Sequence, residues 1–400
     1  MNPPHVAIAP QAVKRARNFD AWVFRDELDV REPAIASGDV VEVVDSHQRF
    51  VAWAFYSARS HIALRIVSLE HAQRVDRALL SRRLARAIAT RTRITGTNAK
   101  RLVFSEADEL PGLIVDQYAA CLVVQFRSAG MDRLRAPVVE LLREQLQPQG
   151  ILERSDKEFR EEEGLEPVTQ VLAGVVPDRL LIEEDDLKFL VDPHRGLKTG
   201  FYLDQRATRR KLRQLVRAHA RVLDAFSYTG SCAIAAARAG ASVVCVEQDE
   251  ALIELAKENA KLNGVSDRIE YVAGDAFYWL KAKAEQGAQF DRVMLDPPAL
   301  VKAKAGLTKG RQALHHLVTH SLKLLAPSGG LVLHVCTYHL LGLVEEIVRI
   351  AASSERLRLR VGDQWLQAED HPWVLQLPAS RYLMSWHYAR CCARDAQSAA

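Results

Sequence analysis

The stretch Val222-Leu223-Asp224-Ala225-Phe226-Ser227-Tyr228-Thr229-Gly230 decides how the chain is read. It reads as a strand that ends in a carboxylate, followed by a loop with a single glycine. Working outward, strands and helices alternate from Arg221 onward. The strands are Val222–Asp224, Val243–Glu247, Ile269–Val272, Arg292–Asp296 and Leu331–Val335. Helical stretches of about 10–20 residues separate them. Such alternation predicts an α/β fold: a Rossmann-like parallel sheet with helices on both faces and ligands at the carboxyl ends of the strands. After Leu340 a helix is expected. Two strand-like runs near Leu357–Trp365 and Tyr382–Tyr388 then add an antiparallel edge.

At 400 residues the chain exceeds what one core holds, about 250–300 residues. Residues 1–72 read as a β domain, in which Val40–Val44 and Phe50–Phe55 alternate around the turn Asp45-Ser46-His47-Gln48. Residues 73–195 read as an α+β domain, with helices over 74–90 and 131–146. Strand pairs are expected near Leu113–Val115, Leu122–Val124, Val168–Leu172, Leu180–Ile182 and Phe189–Val191, and an acidic surface loop over Glu153–Glu166. The alternating region, 196–395, is the third domain.

Apolar content of 48% and charged content of 26% exclude a disordered chain, a collagen-like fibre and a coiled coil. No apolar run reaches the roughly 18 residues of a membrane helix. Met1-Asn2-Pro3-Pro4-His5 lacks the layout of a signal peptide, so a cytoplasmic protein is expected. The formal charge of +4 is modest, but residues 74–101 concentrate Arg74, Arg77, Arg82, Arg83, Arg86, Arg91, Arg93, Lys100 and Arg101 against Asp76. That face suits a polyanion or is a solvated helix face. Cys121, Cys232, Cys245, Cys336, Cys391 and Cys392 fit no zinc spacing. His316 and His320 lie one helical turn apart without the glutamate of a zinc-hydrolase helix, so no metal site is expected.

A dinucleotide fold needs Gly-x-Gly-x-x-Gly after the first strand so that backbone approaches a pyrophosphate. One glycine and Asp224 argue instead for a ligand with a cationic amine and no phosphate. Glu247, at the end of the second strand, suits ribose hydroxyls. Asp275, after the third, suits an adenine edge, although a strand-end acid is often only a helix N-cap. Together these describe S-adenosylmethionine.

The fourth strand ends in Asp296-Pro297-Pro298, either a plain strand-terminating turn or a rigid clamp on a flat base with Asp296 at its edge. Enzymes that methylate exocyclic amines place an aromatic residue next; here it is Ala299. The fifth strand ends at Val335-Cys336-Thr337, which sets a thiol at the same crevice. Most strand cysteines are small core residues, the reading given to Cys232 and Cys245. Cys336 differs by its place at the active end. A thiolate adding to pyrimidine C6 makes C5 nucleophilic enough to take a methyl group.

In this order the residues resemble the ribosomal large-subunit cytosine-C5 methyltransferase family. The likeness runs through Asn18–Phe24, Ile35–Ser57, Phe104–Asp116 (FSEADELPGLIVD), Glu153–Asp156, Lys198–Arg206, Asp224–Gly230, Asp296–Pro298 and Asp370–Pro372. It implies a PUA RNA-binding domain, a central α+β domain and a class I methyltransferase domain. It also implies S-adenosylmethionine as cofactor, large-subunit ribosomal RNA as partner, and a homodimer. Cys336 is then the nucleophile and Asp296 holds the cytosine. The cofactor lies against Asp224, Phe226, Tyr228, Thr229, Gly230, Glu247, Asp275 and Asp296, covered by Phe201, Asp204, Gln205 and Arg206. Three segments depart from the family pattern. Val335-Cys336-Thr337 replaces Ser-Cys-Ser, Arg311-Gln312-Ala313 replaces Arg-Gly-Tyr, and Gly196-Leu197-Lys198-Thr199-Gly200 replaces Gly-Gln-Lys-Thr-Gly. No second cysteine stands beside Asp296 to take the C5 proton; a water or Asp296 itself remains open. The alternatives are a guanine or adenine N-methyltransferase on the same fold and a non-catalytic RNA-binding relative.

Overall fold

The computed structural model describes residues 3–29, 35–301 and 304–391; Cys392 lies outside them. The chain forms two compact units. One holds the chain up to Asp186 with 191–203 and 369–380, the other 187–190, 204–368 and the chain from Arg381.

The first unit contains two five-stranded sheets. In the N-terminal one the order is His5–Ala7, Val40–Val44, Phe50–Tyr56, Ile62–Ser68, Trp22–Phe24. Val40–Val44 and Phe50–Tyr56 pair antiparallel, but the second strand does not alternate: every residue after Phe50 is buried. The turn between them is held by the Asp45 carboxylate, which accepts from the His47 and Arg49 amides at 2.9 and 3.0 Å. The second sheet runs in chain order: Ala99–Phe104, Leu113–Tyr118, Cys121–Phe126, Gly150–Ser155, Val168–Gly174. Its third and fourth strands are parallel, so the helices Ala129–Arg133 and Arg135–Leu146 make the crossover between them. Leu79, Leu80 and Leu84 of the helix Arg77–Arg91 pack into the same core as Leu102, Leu113 and Phe126.

Two expectations are corrected in this unit, for one reason. The basic stretch 74–101 is only in part a surface face. Arg101 is buried and bidentate on Asp116, both contacts 2.7 Å, and Arg91 grips Asp108 at 2.6 and 2.7 Å. Buried Arg83 donates to the carbonyls of Val67 and Glu109. Arg74, Arg77, Arg82, Arg86 and Arg93 stay at the surface, in line with a solvated face. The acidic run 153–166 is not a surface loop. It begins inside the buried strand Gly150–Ser155, where Arg135 and Gln170 hold Glu153, and continues as the helix Lys157–Glu163. Glu163 is buried against Arg65 at 3.1 Å. Each run finds its counter-charges in distant sequence, which a local window does not contain.

The second unit carries a seven-stranded sheet: β1 (Arg221–Ala225), β2 (Ser242–Glu247), β3 (Ile269–Ala273), β4 (Phe290–Leu295), β5 (Leu325–Val335), β6 (Leu359–Leu366) and β7 (Met384–Arg390). Its order is β3-β2-β1-β4-β5-β7-β6. β1 to β5 are parallel, as the alternation predicts. β7 pairs antiparallel with both β5 and β6, so the antiparallel strand sits inside the edge rather than at it. The inner positions are near-continuously apolar: Leu223, Val293, Leu295, Leu331 and Leu333 are fully buried with Leu314 and Leu317 of the helix Leu307–Lys323. The chain moves outward in opposite directions from β1 and β4, which opens a crevice at their carboxyl ends.

Asp116 fixes the Arg101 charge in a buried setting, so Asp116→Asn should destabilise the first unit by about 3–5 kcal/mol. Urea unfolding followed by tryptophan fluorescence reads this; a loss below about 1 kcal/mol, the scale of a surface pair, contradicts a load on this bridge.

Candidate functional site

The loop after β1 is bent by three left-handed residues: Phe226 at φ +63°, Tyr228 at +51° and Gly230 at +73°. For side chains other than glycine this costs roughly 1–3 kcal/mol each, strain that persists where surrounding contacts enforce it. Those contacts are present. The Ser227 amide donates to the Val246 carbonyl at 3.1 Å, and the Tyr228 amide to Glu247 Oε2 at 2.9 Å. The Asn259 amide group reaches the Thr229 carbonyl at 3.3 Å. At Gly230 a Cβ would stand 3.0 Å from the Ala256 methyl, so a side chain there would press on the helix Glu250–Leu262 as well as strain the positive φ. Thr229 Oγ1 is buried without a hydrogen-bond partner among the described residues.

Three carboxylates surround this loop. Asp224 is 2% exposed, and its Oδ2 accepts from the Ala233 amide in the first turn of the helix Ser231–Arg238 at 2.9 Å. Burial above all, with Asp296 and Glu247 nearby, pushes its pKa up to about 8. Glu247 is half-buried; its Oε1 accepts from the Gln248 and Asp249 amides at 2.8 and 3.2 Å. Four lone-pair sites per carboxylate leave room for further donors. Asp296, one residue beyond β4, accepts from the Gln205 side-chain amide at 2.6 Å.

Asp275 is exposed and caps the helix Ala276–Glu285, accepting from the Phe277 amide at 2.7 Å on Oδ1. The N-cap role weighed from sequence is therefore real, and Oδ2 remains available. Phe226 meets Phe277 edge to face at 5.7 Å.

The covering segment divides. Phe201 belongs to the first unit, buried, with its amide donating to the Tyr118 hydroxyl at 3.2 Å. Asp204 and Arg206 are buried in the second unit. Tyr382 donates to Asp204 Oδ2 at 2.6 Å. Gln205 reaches Asp296 as given above.

Cys336 follows β5 by one residue and is half-buried, its Sγ 4.0 Å from the Pro297 carbonyl oxygen. The two meet in a small pocket lined by Pro297, Pro298, Leu300, Val335, Cys336 and Thr337, among others. The parallel pairing of β4 and β5, with Leu295 opposite Leu333, creates this juxtaposition. Cys121, Cys232 and Cys245 are buried, and burial holds the Cys245 thiol well above its ordinary pKa. His316 and His320 meet edge to face at 4.4 Å, and no metal-capable cluster occurs among the described residues. Arg311, in the segment that departs from the family pattern, is paired with Glu346 at 2.6 Å.

Sequence reasoning missed Tyr382 and Asn259, whose partners are distant in the chain. It also missed Leu300 and Thr337 as pocket walls, although both flank motifs already singled out. No helix among the described residues is long and apolar enough to cross a membrane.

Comparison with known proteins supplies the family. Residues 6–69 match the model of a PUA-like domain, and residues 163–364 that of an S-adenosylmethionine-dependent methyltransferase. The chain is 34% identical to Ribosomal RNA large subunit methyltransferase I of Pseudoalteromonas atlantica, over 94% of this chain and 97% of that one. It is 35% identical to the protein of the same name from Alteromonas mediterranea, over 94% and 96%. A candidate S-adenosylmethionine-dependent methyltransferase from Streptococcus mutans shares the fold with a TM-score of 0.83 at 19% identity, covering 96% of this chain and all of that one. A further candidate methyltransferase, solved with SAH, superposes with a TM-score of 0.85 at 19% identity, again over 96% of this chain and all of that one. With its PUA-like β domain, its Rossmann-like sheet and relatives matched along nearly their whole length, the chain belongs to the family of S-adenosylmethionine-dependent ribosomal RNA large subunit methyltransferases I.

Proposed function

We propose that the protein methylates carbon C5 of a cytosine in large-subunit ribosomal RNA, with Cys336 as the nucleophile. The observation that carries this reading is the meeting of Cys336 with Pro297 and Pro298 in one small pocket at the carboxyl end of the sheet. A thiol there stands beside a rigid backbone wall suited to a flat ring. An aromatic stacking residue, the mark of exocyclic amine methylation, has Ala299 in its place.

The residues present fit S-adenosylmethionine. Asp224 is buried beside Asp296, so a cationic ligand recovers the electrostatic cost of that placement. The bent loop 226–230, with the buried Thr229 hydroxyl, would take the methionine portion. Glu247 would accept from the ribose, and Asp275 Oδ2 with Phe277 would face the adenine. Asp204, Gln205 and Arg206 are assigned to closing and bracing the site. The cofactor supplies an electrophilic methyl group.

The steps assigned to this chain are few. Cys336, as thiolate, forms a bond from Sγ to C6 of the cytosine, and the ring's C5–C6 electron pair is thereby available at C5. Asp296, oriented by Gln205, holds the base edge by hydrogen bonding. After C5 carries the methyl group, its proton leaves to a water or to Asp296. The electron pair returns to the ring as Sγ departs from C6. Ribosomal RNA is the partner, bound through the PUA-like domain, and the cytoplasm is the compartment.

With 5-fluorocytosine at the target position no proton can leave C5, so the Sγ–C6 bond should persist as a denaturation-resistant protein–RNA adduct. The adduct should form with wild type and be absent in Cys336→Ala, which should also lose methylation yet keep cofactor affinity. Full methylation by Cys336→Ala contradicts the assignment.

The raised pKa of Asp224 has a thermodynamic sign. Its folded value lies above its ordinary value of 3.8, so the unliganded protein loses stability as pH rises from that range through about 8. Asp224→Asn should therefore stabilise the unliganded protein more at about pH 9 than at about pH 5, while weakening S-adenosylmethionine binding. Thermal melts at the two pH values and calorimetry with the cofactor read both effects. A stability difference independent of pH places the charge cost elsewhere.

A further inference from the structure

The second unit has another pocket, at the opposite end of the strands from Asp224 and Cys336. It is open, about 530 Å³, and its lining includes Leu215, Arg217, His219, Asp291, Arg292 and Ser328. β1 begins here at Arg221 and ends at the crevice with Asp224 and Ala225. β4 likewise begins here, beside Asp291, and delivers Asp296 to the crevice.

The wall is electropositive by construction. Arg292 is anchored by carbonyl groups, Nε to Leu215 at 3.1 Å and Nη1 to Asp291 at 2.6 Å. Neutral acceptors fix the guanidinium without cancelling its charge, and Nη2 has no partner among the described residues. Arg217 is exposed and makes no ion pair among the described residues, and neither does Arg292. The two cations lie close enough that Arg217, after burial, is the next influence lowering the Arg292 pKa, with Asp291 opposing. The Asp291 carboxylate is itself engaged, its Oδ2 accepting from the Arg221 amide at 2.8 Å. Two guanidiniums with one carboxylate leave a net positive wall, and His219 and Ser328 add polar groups to it. Planar guanidinium donors match tetrahedral oxyanions in geometry and charge.

We propose that this pocket binds a phosphate group, with Arg217 and the outer edge of Arg292 as its donors. The phosphate comes either from an RNA backbone or from free phosphate. The inference does not depend on which base the protein methylates.

The test uses the full-length protein as wild type, Arg217→Lys and Arg217→Glu. Inorganic phosphate is titrated by calorimetry at low salt, and ribosomal RNA binding is measured across a salt series. Wild type should bind phosphate saturably, Arg217→Lys more weakly, and Arg217→Glu at least about tenfold more weakly, the scale of a lost charged hydrogen bond. S-adenosylmethionine affinity should be unchanged in both variants, because its site lies at the other end of the strands; this also reports that they fold. If the phosphate belongs to RNA, the slope of log affinity against log salt should shrink by about one in Arg217→Glu. If the slope holds while phosphate binding is lost, the occupant is free phosphate. Equal phosphate affinity in wild type and Arg217→Glu, or no saturable phosphate binding together with an unchanged RNA slope, overturns the proposal.

Discussion

The burial of Asp224 beside Asp296 is the constraint on which the second unit turns. Both acids are delivered by neighbouring parallel strands, β1 and β4, that end at the same level. Burial makes ionisation of Asp224 expensive, and the proximity of Asp296 and Glu247 adds to that cost. A sheet designed for stability alone would end these strands in amides or apolar residues. The strained loop 226–230 has the same character. It keeps two non-glycine residues at positive φ, held by Val246, Glu247 and Asn259. Strain and charge are concentrated where a cationic ligand would recover their cost, and the remainder of the sheet is an ordinary apolar scaffold.

Much of this scaffold was legible in the chain because its information is local. Five strands rich in apolar residues, separated by helices, identify a parallel sheet. Asp224, Glu247, Asp275, Asp296 and Cys336 could be named because they sit at fixed places relative to those strands. What the chain concealed depends on long-range pairing. Arg101 reads as part of a basic surface until Asp116, 15 residues away, takes its guanidinium and Asp370, 269 residues away, accepts from its backbone amide. Glu153 reads as part of an acidic loop until Arg135 and Gln170 enclose it. Tyr382 lies 178 residues from Asp204 and carries no signal of that contact. The place of β7 was half legible: its antiparallel sense was apparent, its insertion between β5 and β6 was not.

On the two proposals, one sheet serves chemistry at both of its ends. At the carboxyl ends, acids and a thiol converge as the strand directions dictate. At the amino ends, Arg217 stands on the turn that leads into β1 and Arg292 lies in the first half of β4, where backbone carbonyls hold it in place. The same parallel register that brings Cys336 to Pro297 also separates the two sites by the length of the strands, so each responds to substitution independently of the other.

The central claim is the identity of the methylated atom, and nucleoside analysis measures it directly. Large-subunit ribosomal RNA lacking the modification is incubated with the protein and S-adenosylmethionine carrying an isotopically labelled methyl group. The RNA is then digested and its nucleosides are resolved by mass spectrometry. The account predicts label in 5-methylcytidine. Label in an N-methylated guanosine or adenosine, with none in 5-methylcytidine, would contradict it.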